Sequence, residues 1–379
     1  MSILIYIFIV ILRIIYFFLK LIPSKNKIVF ISRQSNNINI DFKLLTEDLN
    51  KRYSNYKTVV LTKKIEGNIF NKIKYVFHIL RQMYHIATAK VVVLDTYCIP
   101  ISILKHKKNL KVIQMWHALG SFKKFGLSIK DKKEGTSTKL IRIMKMHQNY
   151  DYIFCSSKEC SKNFAEAFGY EESKVLAYPL PRLDLFNDSD YKNNIVNTIY
   201  DKYPELKNKK NILYAPTFRI DGSNRKKSQS TINVEKLMDN IDYNKYNLII
   251  KFHPLSDITI NDKRVICDRC FKTSDFLFIS DYVITDYSAI VYEAAYLSKP
   301  LFFYSYDIDE YTKNRDFYLN IKNDLPGLVT EDSKIIIKNI EKNKYDIDIV
   351  KQFSKKNIKK CKKSYTRDIN DFIISLIGK

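Results

Sequence analysis

The sequence predicts an α/β protein made of two doubly wound parallel sheets, preceded by an apolar helix. Three observations carry this reading. Short apolar runs of strand length alternate with stretches of helical periodicity along most of the chain. At 379 residues the chain exceeds what one compact core holds, and it turns polar and charged around Asp184 to Lys210. Asp281 to Tyr306 reads as a complete strand, helix, strand unit. The expected boundaries are an apolar helix at 1–24, a first Rossmann-like domain at 25–190, a second at 191–345, and a basic helical segment at 346–379.

Residues 3–22, ILIYIFIVILRIIYFFLKLI, are long and apolar enough to span a bilayer, but Arg13 falls at the middle and Lys20 near the end. No basic leader or small-residue cleavage site accompanies them. The stretch is read as an anchoring helix, either spanning or lying in the interface with Arg13 snorkelling. Lys20, Lys25, Lys27 and Arg33 follow, placing the globular part on the cytoplasmic face of the membrane by the positive-inside rule.

Lys27 to Ile31 then reads as a strand, and Phe42, Leu45 and Leu49 mark one helix face. Thr58 to Leu61 is a strand, followed by a helix through Phe70, Ile73, Phe77, Leu80 and Tyr84. Val91 to Leu94, Lys111 to Met115 and Tyr152 to Cys155 are further strands. A helix from about Lys158 to Phe168 precedes the strand Val175 to Tyr178. Beyond the polar connection come strands at Asn211 to Ala215, Tyr246 to Lys251 and Arg264 to Ile266, and a helix at Asp275 to Ile279. In the final unit, Tyr282 to Ile284 is a buried strand, and Thr285-Asp286-Tyr287-Ser288 offers side chains to cap the next helix. That helix runs through Ile290, Val291, Ala294, Ala295 and Leu297 until Lys299-Pro300 stops it, and Leu301 to Tyr304 follows as a strand. A capped helix start at the carboxyl edge of a sheet suits a phosphate. Lys338 to Lys379 reads as mostly helical and basic.

The formal charge of +24 points to an anionic partner: nucleic acid, a membrane surface or a phosphate-rich substrate. Nucleic acid is set aside, because no helix-turn-helix, zinc-finger spacing or aromatic RNA-binding stretch is present. Six cysteines in a chain of this size make no disulfide framework. Cys267-x-x-Cys270 lacks a second ligand pair, and Cys155 and Cys160 read as core, so no metal is placed on cysteine and a reducing compartment is expected.

Four segments fall where a strand runs out into a loop, the ligand-facing edge of such sheets. They are Gln114 to Gly126 (QMWHALGSFKKFG), Tyr214 to Arg219 (YAPTFR), Ile249 to Pro254 (IIKFHP), and Thr285 to Ser288 with its helix. Together they resemble the CDP-glycerol glycerophosphotransferase family, membrane-associated enzymes that build teichoic acids and related capsule polymers. Pro181-Arg182-x-Asp184, Tyr311-x-x-x-Arg315-x-x-Tyr318 and Pro326-Gly327 match as well, and the resemblance runs from about Lys27 to Asp332. The chain departs from the family pattern at Ala289, where a second Ser is usual. It departs again at Ala177-Tyr178-Pro179-Leu180, which lacks a glycine, and at Trp-His-Ala-Leu-Gly, which replaces Trp-His-Gly-Thr-Pro.

The resemblance implies a GT-B-type pair of domains facing a cleft, the first on the acceptor side and the second binding a CDP-alditol. It implies attack by a hydroxyl of a lipid-linked, polyprenyl-diphosphate-bearing acceptor on the alditol-bearing phosphorus, with release of CMP. Such chemistry depends on positioning and charge neutralisation. Ser288, with Thr285 and the helix start, would hold the donor pyrophosphate. Arg315, and Arg219 beside Thr217, would clamp the phosphates. Glu293 would meet the ribose hydroxyls and Asp286 would order the loop. His117 is the first choice for general base, since imidazole titrates near neutral pH. His253 would stabilise the transferring phosphate or protonate the leaving group. Beyond the CDP-glycerol or CDP-ribitol substrate no cofactor is assigned, and divalent metal dependence stays open because no carboxylate cluster shows metal spacing. A GT-B glycosyltransferase using a nucleotide sugar is the alternative.

Overall fold

The computed structural model describes residues 2–65, 67–217, 229–253, 256, 258, 260–314 and 316–377. The chain folds as two compact units. One comprises Met1–Leu119, Lys124–Asp184 and Lys359–Lys379; the other comprises Gly120–Lys123 and Leu185–Ile358.

The first unit carries strands β1 (Lys27–Ser32), β2 (Lys57–Thr62), β3 (Val91–Leu94), β4 (Lys111–Gln114), β5 (Tyr152–Cys155) and β6 (Val175–Ala177). They form one six-stranded parallel sheet in the order β2-β1-β3-β4-β5-β6. Every residue of β1 and β3 is buried, because helices cover both faces of a parallel sheet. The helix Ile40–Arg52 starts where Asn39 Oδ1 accepts the Phe42 N–H at 2.8 Å, and it buries the expected stripe Phe42, Leu45 and Leu49. Each such side chain contributes about 1.5–3 kcal/mol on burial. The Pro-Arg-x-Asp segment is structural here. The Asp41 carboxylate accepts Arg182 N at 2.9 Å and Nε at 3.0 Å, while Asp184 accepts the N–H groups of Tyr365 (2.8 Å) and Thr366 (2.9 Å) at the start of the helix Tyr365–Ser375. That last helix packs on Ile40–Arg52, with Asn370 donating to Leu45 O and Asp48.

One expectation for this unit holds with an addition and one is corrected. The expected helix forms as Ile69–Ala87; Phe70, Ile73, Phe77 and Tyr84 on it are exposed, and Tyr75, Ile79, Met83 and Ile86 face the core. The helix is apolar on two faces, and periodicity cannot say which one the sheet takes. The N-terminal stretch does form a helix, Ser2–Leu19, but among the described residues no helix is long and apolar enough to cross a membrane. Instead it lies on the first unit: Ile9, Leu12 and Tyr16 are buried, and Arg13 Nε donates to the Ile103 carbonyl at 3.3 Å.

The second unit carries β7 (Lys210–Ala215), β8 (Tyr246–Ile250), β9 (Val265–Cys267), β10 (Tyr282–Thr285), β11 (Leu301–Tyr304) and β12 (Leu328–Thr330). Its parallel sheet runs β12-β11-β10-β7-β8-β9. Ile212, Tyr214, Leu248, Ile284 and Phe302 from the sheet meet Val234, Leu237, Ile336 and Ile340 from helices in one core. The polar stretch read as a connection is helical over Leu183–Asn187 and Ser189–Lys202, the latter capped by Asp188. Charged residues there solvate the outer face of a helix rather than a loop. Cys98, Cys155 and Cys160 are buried free thiols, and Cys267 and Cys270 are exposed and unbridged.

Candidate functional site

In the second sheet β7 leads to β8 and β9 on one side and pairs with β10 on the other. The strand order therefore reverses between β7 and β10, and such a reversal opens a crevice at the strands' carboxyl ends. Thr217 leaves β7 and Asp286 leaves β10 at this point. The fully buried Asp286 carboxylate accepts Thr217 N at 2.9 and 3.0 Å, Thr217 Oγ1 at 2.7 Å and Tyr287 N at 2.5 Å. A carboxylate holding three donors pins the two strand exits together.

This corrects the helix-start expectation. The helix Ile290–Tyr296 has seven residues, and its cap position is Ala289, with no side-chain cap bond. Thr285 is fully buried, its hydroxyl donating to the Ala215 carbonyl at 2.8 Å, so it braces β10 against β7. Ser288 is half-buried with Oγ 3.4 Å from Ile290 N, and Glu293 is buried in the first turn. Arg219 and Arg315 lie outside the described residues.

Lys123 joins this group although sequence reasoning gave it no role. Its Nζ donates to the Tyr311 hydroxyl at 2.7 Å and to Thr217 Oγ1 at 3.3 Å. A backbone bridge to Phe317, and Tyr318 N donating to Phe122 O at 3.0 Å, hold the Gly120–Lys123 segment in place. Gly120 permits this approach, since a Cβ there would stand 2.1 Å from the Tyr292 ring. Tyr287, Tyr311 and Phe317 stack beneath at 4.5–5.6 Å between ring centres. The signal was the Lys-Lys-x-Gly motif, which names the lysine without naming its partners.

His253 follows β8 by three residues. Lys251, between them, is anchored by Nζ to the Asp268 carboxylate at 2.9 Å and to the Asp268 and Phe271 carbonyls at 2.7 Å. Partial desolvation first, and the Lys123 charge second, hold the His253 pKa below the ordinary histidine value. Both causes favour the neutral imidazole.

In the first unit His117 leaves β4 beside the exit of β3. Its Nδ1 lies 2.9 Å from the Asp95 carbonyl oxygen. A carbonyl only accepts, so Nδ1 carries a proton, and in the neutral imidazole Nε2 is then the nitrogen with the lone pair, the arrangement a general base needs. Trp116, in the left-handed region at φ 60°, lies 4.2 Å from the His117 ring and stacks on Phe125 at 5.1 Å. Left-handed backbone at a bulky residue costs energy and marks an over-determined position. The Asp95 carboxyl accepts Asn39 Nδ2 at 2.8 Å, and burial raises its pKa to about 7. Nothing in the sequence singled out Asp95 beyond its place after a strand. Among the described residues no group of three or more His, Cys, Asp or Glu is disposed to hold a metal ion.

Two parallel six-stranded sheets, with polar and cationic groups gathered at the strand exits, define a two-sheet α/β protein of nucleotide-binding type. Residues 14–374 match the family described as CDP-glycerol:poly(glycerophosphate) glycerophosphotransferase, and the chain belongs to that family. It is 31% identical to the teichoic acid ribitol-phosphate primase of Bacillus spizizenii W23, over 94% of this chain and 93% of that one. It is also 31% identical to the teichoic acid glycerol-phosphate primase of Bacillus subtilis 168, over 79% and 77%. The structure of the wall teichoic acid polymerase TagF superposes with a TM-score of 0.72 at 24% identity, covering 93% of this chain and 89% of that one, and shares the GT-B-like fold. The chain is accordingly a CDP-alditol phosphotransferase of teichoic acid synthesis.

Proposed function

We propose that the chain moves glycerol phosphate or ribitol phosphate from its CDP-alditol to a hydroxyl of a polyprenyl-diphosphate-linked acceptor at the cytoplasmic face of the membrane. The observation that carries this reading is the Lys123, Thr217, Asp286, Tyr311 network at the β7–β10 reversal. Two hydroxyls hold its lysine Nζ at the crevice, where a cation suits phosphate oxygens. Ser288, Arg219 and Arg315 complete the hold on the pyrophosphate, and Glu293 meets the ribose. His117 Nε2 takes the proton of the acceptor hydroxyl as that oxygen bonds to the alditol-bearing phosphorus. The bond from this phosphorus to the bridging oxygen breaks, and CMP departs with the electron pair. His253, neutral and beside Lys123, steadies the transferring phosphoryl group by hydrogen bonding.

The apolar face of Ser2–Leu19, with Ile7, Ile14 and Phe18 about half or more exposed, and the exposed stripe Phe70, Ile73 and Phe77 support a helix pair lying in the bilayer interface. The basic charge supports attraction to anionic lipid.

The test is CMP release from CDP-glycerol and CDP-ribitol, with nucleotide sugars as controls and lipid-linked acceptor present. Wild-type chain should release CMP and nothing from the sugars. His117→Ala should lose about 10²- to 10⁴-fold in kcat with unchanged circular dichroism. Wild-type turnover by that variant would remove His117 as base.

A further inference from the structure

Between the N-terminal helix and the rest of the first unit lies a cavity of about 400 Å³, lined by none of the candidate-site residues described above. Four cations line it: Arg13 and Lys20 from the helix Ser2–Leu19, Lys105 after the short helix Ile99–Ile103, and Lys145. No carboxylate stands among the described residues of its wall.

The wall is built rather than incidental. Tyr16, 1% exposed, donates its hydroxyl to His106 Nδ1 at 2.8 Å, and His106 Nε2 donates to the Ile101 carbonyl at 2.8 Å. Arg13 is fixed through Nε on the Ile103 carbonyl. The backbone takes left-handed values at Lys145 (φ 46°) and Asn149 (φ 69°), which also line it, and at His147 (φ 60°) between them. Asn149 Nδ2 then reaches the Ile101 and Leu104 carbonyls at 2.8 and 3.1 Å, closing the carboxyl end of Ile99–Ile103. Strained backbone held by side-chain bonds on both flanks makes a shaped site. Phe17 lines the cavity and is 58% exposed, continuous with Ile14 (55%) and Phe18 (61%) on the same helix.

A ligand that suits this place carries concentrated negative charge at one end and an apolar tail at the other. We propose that the cavity binds the phosphate of an anionic phospholipid headgroup, whose chains lie along Ile14, Phe17 and Phe18. Charge complementarity selects the anionic headgroup, since a zwitterionic one would bring its ammonium against four cations. The proposal rests on the reading of this helix as interfacial and gives it a specific seat.

The test uses full-length chain and dihexanoyl phosphatidylglycerol below its micelle concentration, so that diffuse attraction to a charged surface plays no part. Calorimetry should show saturable binding of one lipid. Lys105→Gln/Lys145→Gln should weaken it tenfold or more, and Lys72→Gln/Lys74→Gln, outside the cavity, less than twofold. Equal weakening in both pairs, or none in the first, overturns the proposal. Glycerol 1-phosphate and inorganic phosphate should bind at least tenfold more weakly, and equal affinity would assign the site to a free anion instead. Vesicles test the underlying reading separately. Ile14→Asp/Phe18→Asp should abolish binding to neutral and anionic vesicles alike. Wild-type chain that binds monomeric lipid but ignores vesicles would remove the interfacial reading and leave the cavity assignment standing.

Discussion

Replacing Asp268 by Ala should cost the second unit about 3–5 kcal/mol, and the structure says where the cost arises. The Asp268 side chain is fully buried and receives Lys251 Nζ at 2.9 Å, Lys202 Nζ at 3.2 Å, Tyr203 OH at 2.8 Å, and the N–H groups of Cys270 and Phe271 at 2.9 and 2.8 Å. Lys202 is 41% exposed, so its pairing adds little. Cys270 is exposed, and water can replace the carboxylate at its N–H. Lys251 is different: 5% exposed, it would keep two carbonyls but lose the carboxylate it is ion-paired with, leaving, among the described residues, only the more distant Asp275 charge. Breaking one half of a buried pair costs about 3–5 kcal/mol, whereas removing both halves is far milder. Lys251→Met/Asp268→Ala should therefore recover much of the loss. The assay is urea unfolding by circular dichroism, with hydrogen exchange locating the lost protection in residues 246–285. A single-variant cost below about 1 kcal/mol, or a double variant no better than the single, would refute the reasoning. The pH dependence follows with a definite sign. Burial pushes the Asp268 pKa up, but the Lys251 hydrogen bond, the Phe271 N–H and the Tyr203 hydroxyl outweigh it and bring it down to about 2. A depressed native pKa gives stability that is present above the unfolded value and lost as pH falls towards the folded one. Wild-type chain should thus weaken on acidification from about pH 4 towards 2, and Asp268→Ala should lack that component.

Other outcomes bear on the candidate site. Lys123→Met should raise KM for the CDP-alditol. It should also raise the His253 pKa part of the way to its ordinary value, because burial remains when the charge is gone. The acid limb of the kcat/KM profile should then move to higher pH, and an unmoved limb would separate Lys123 from His253. Gly120→Ala should drive a methyl into the Tyr292 ring, itself buried and stacked on Phe353 at 5.5 Å, costing about 1–3 kcal/mol by thermal unfolding. Asp95 has a native pKa raised by burial to about 7, so it gives stability that is present below the unfolded carboxyl value and lost as pH rises through 7. Asp95→Asn should flatten stability between about pH 4 and 7 while preserving activity, because His117 is held by the Asp95 backbone carbonyl.

Composition and order alone settled the alternation of elements and the motifs that place the chain in its family. Residues such as Phe42, Leu45 and Leu49 announce a buried face because periodicity is local and survives in one dimension. Sequence also named Thr217, Asp286, His117 and His253 as strand-exit residues. It did not name their partners. Asp286 reads both as a candidate cap for the next helix and as a residue that orders the loop, and only the pairing of β10 with β7 brings Thr217, 69 positions away, to its carboxylate. Lys123 reaches Tyr311 across 188 positions, and the helix Ile69–Ala87 turns inward Tyr75, Ile79, Met83 and Ile86, a stripe that the pattern did not single out. The physical reason is common to all three. Local chemistry fixes which groups can bond, whereas the order of strands in a sheet and the face a helix offers are decided by which apolar surfaces bury each other, a choice made through space.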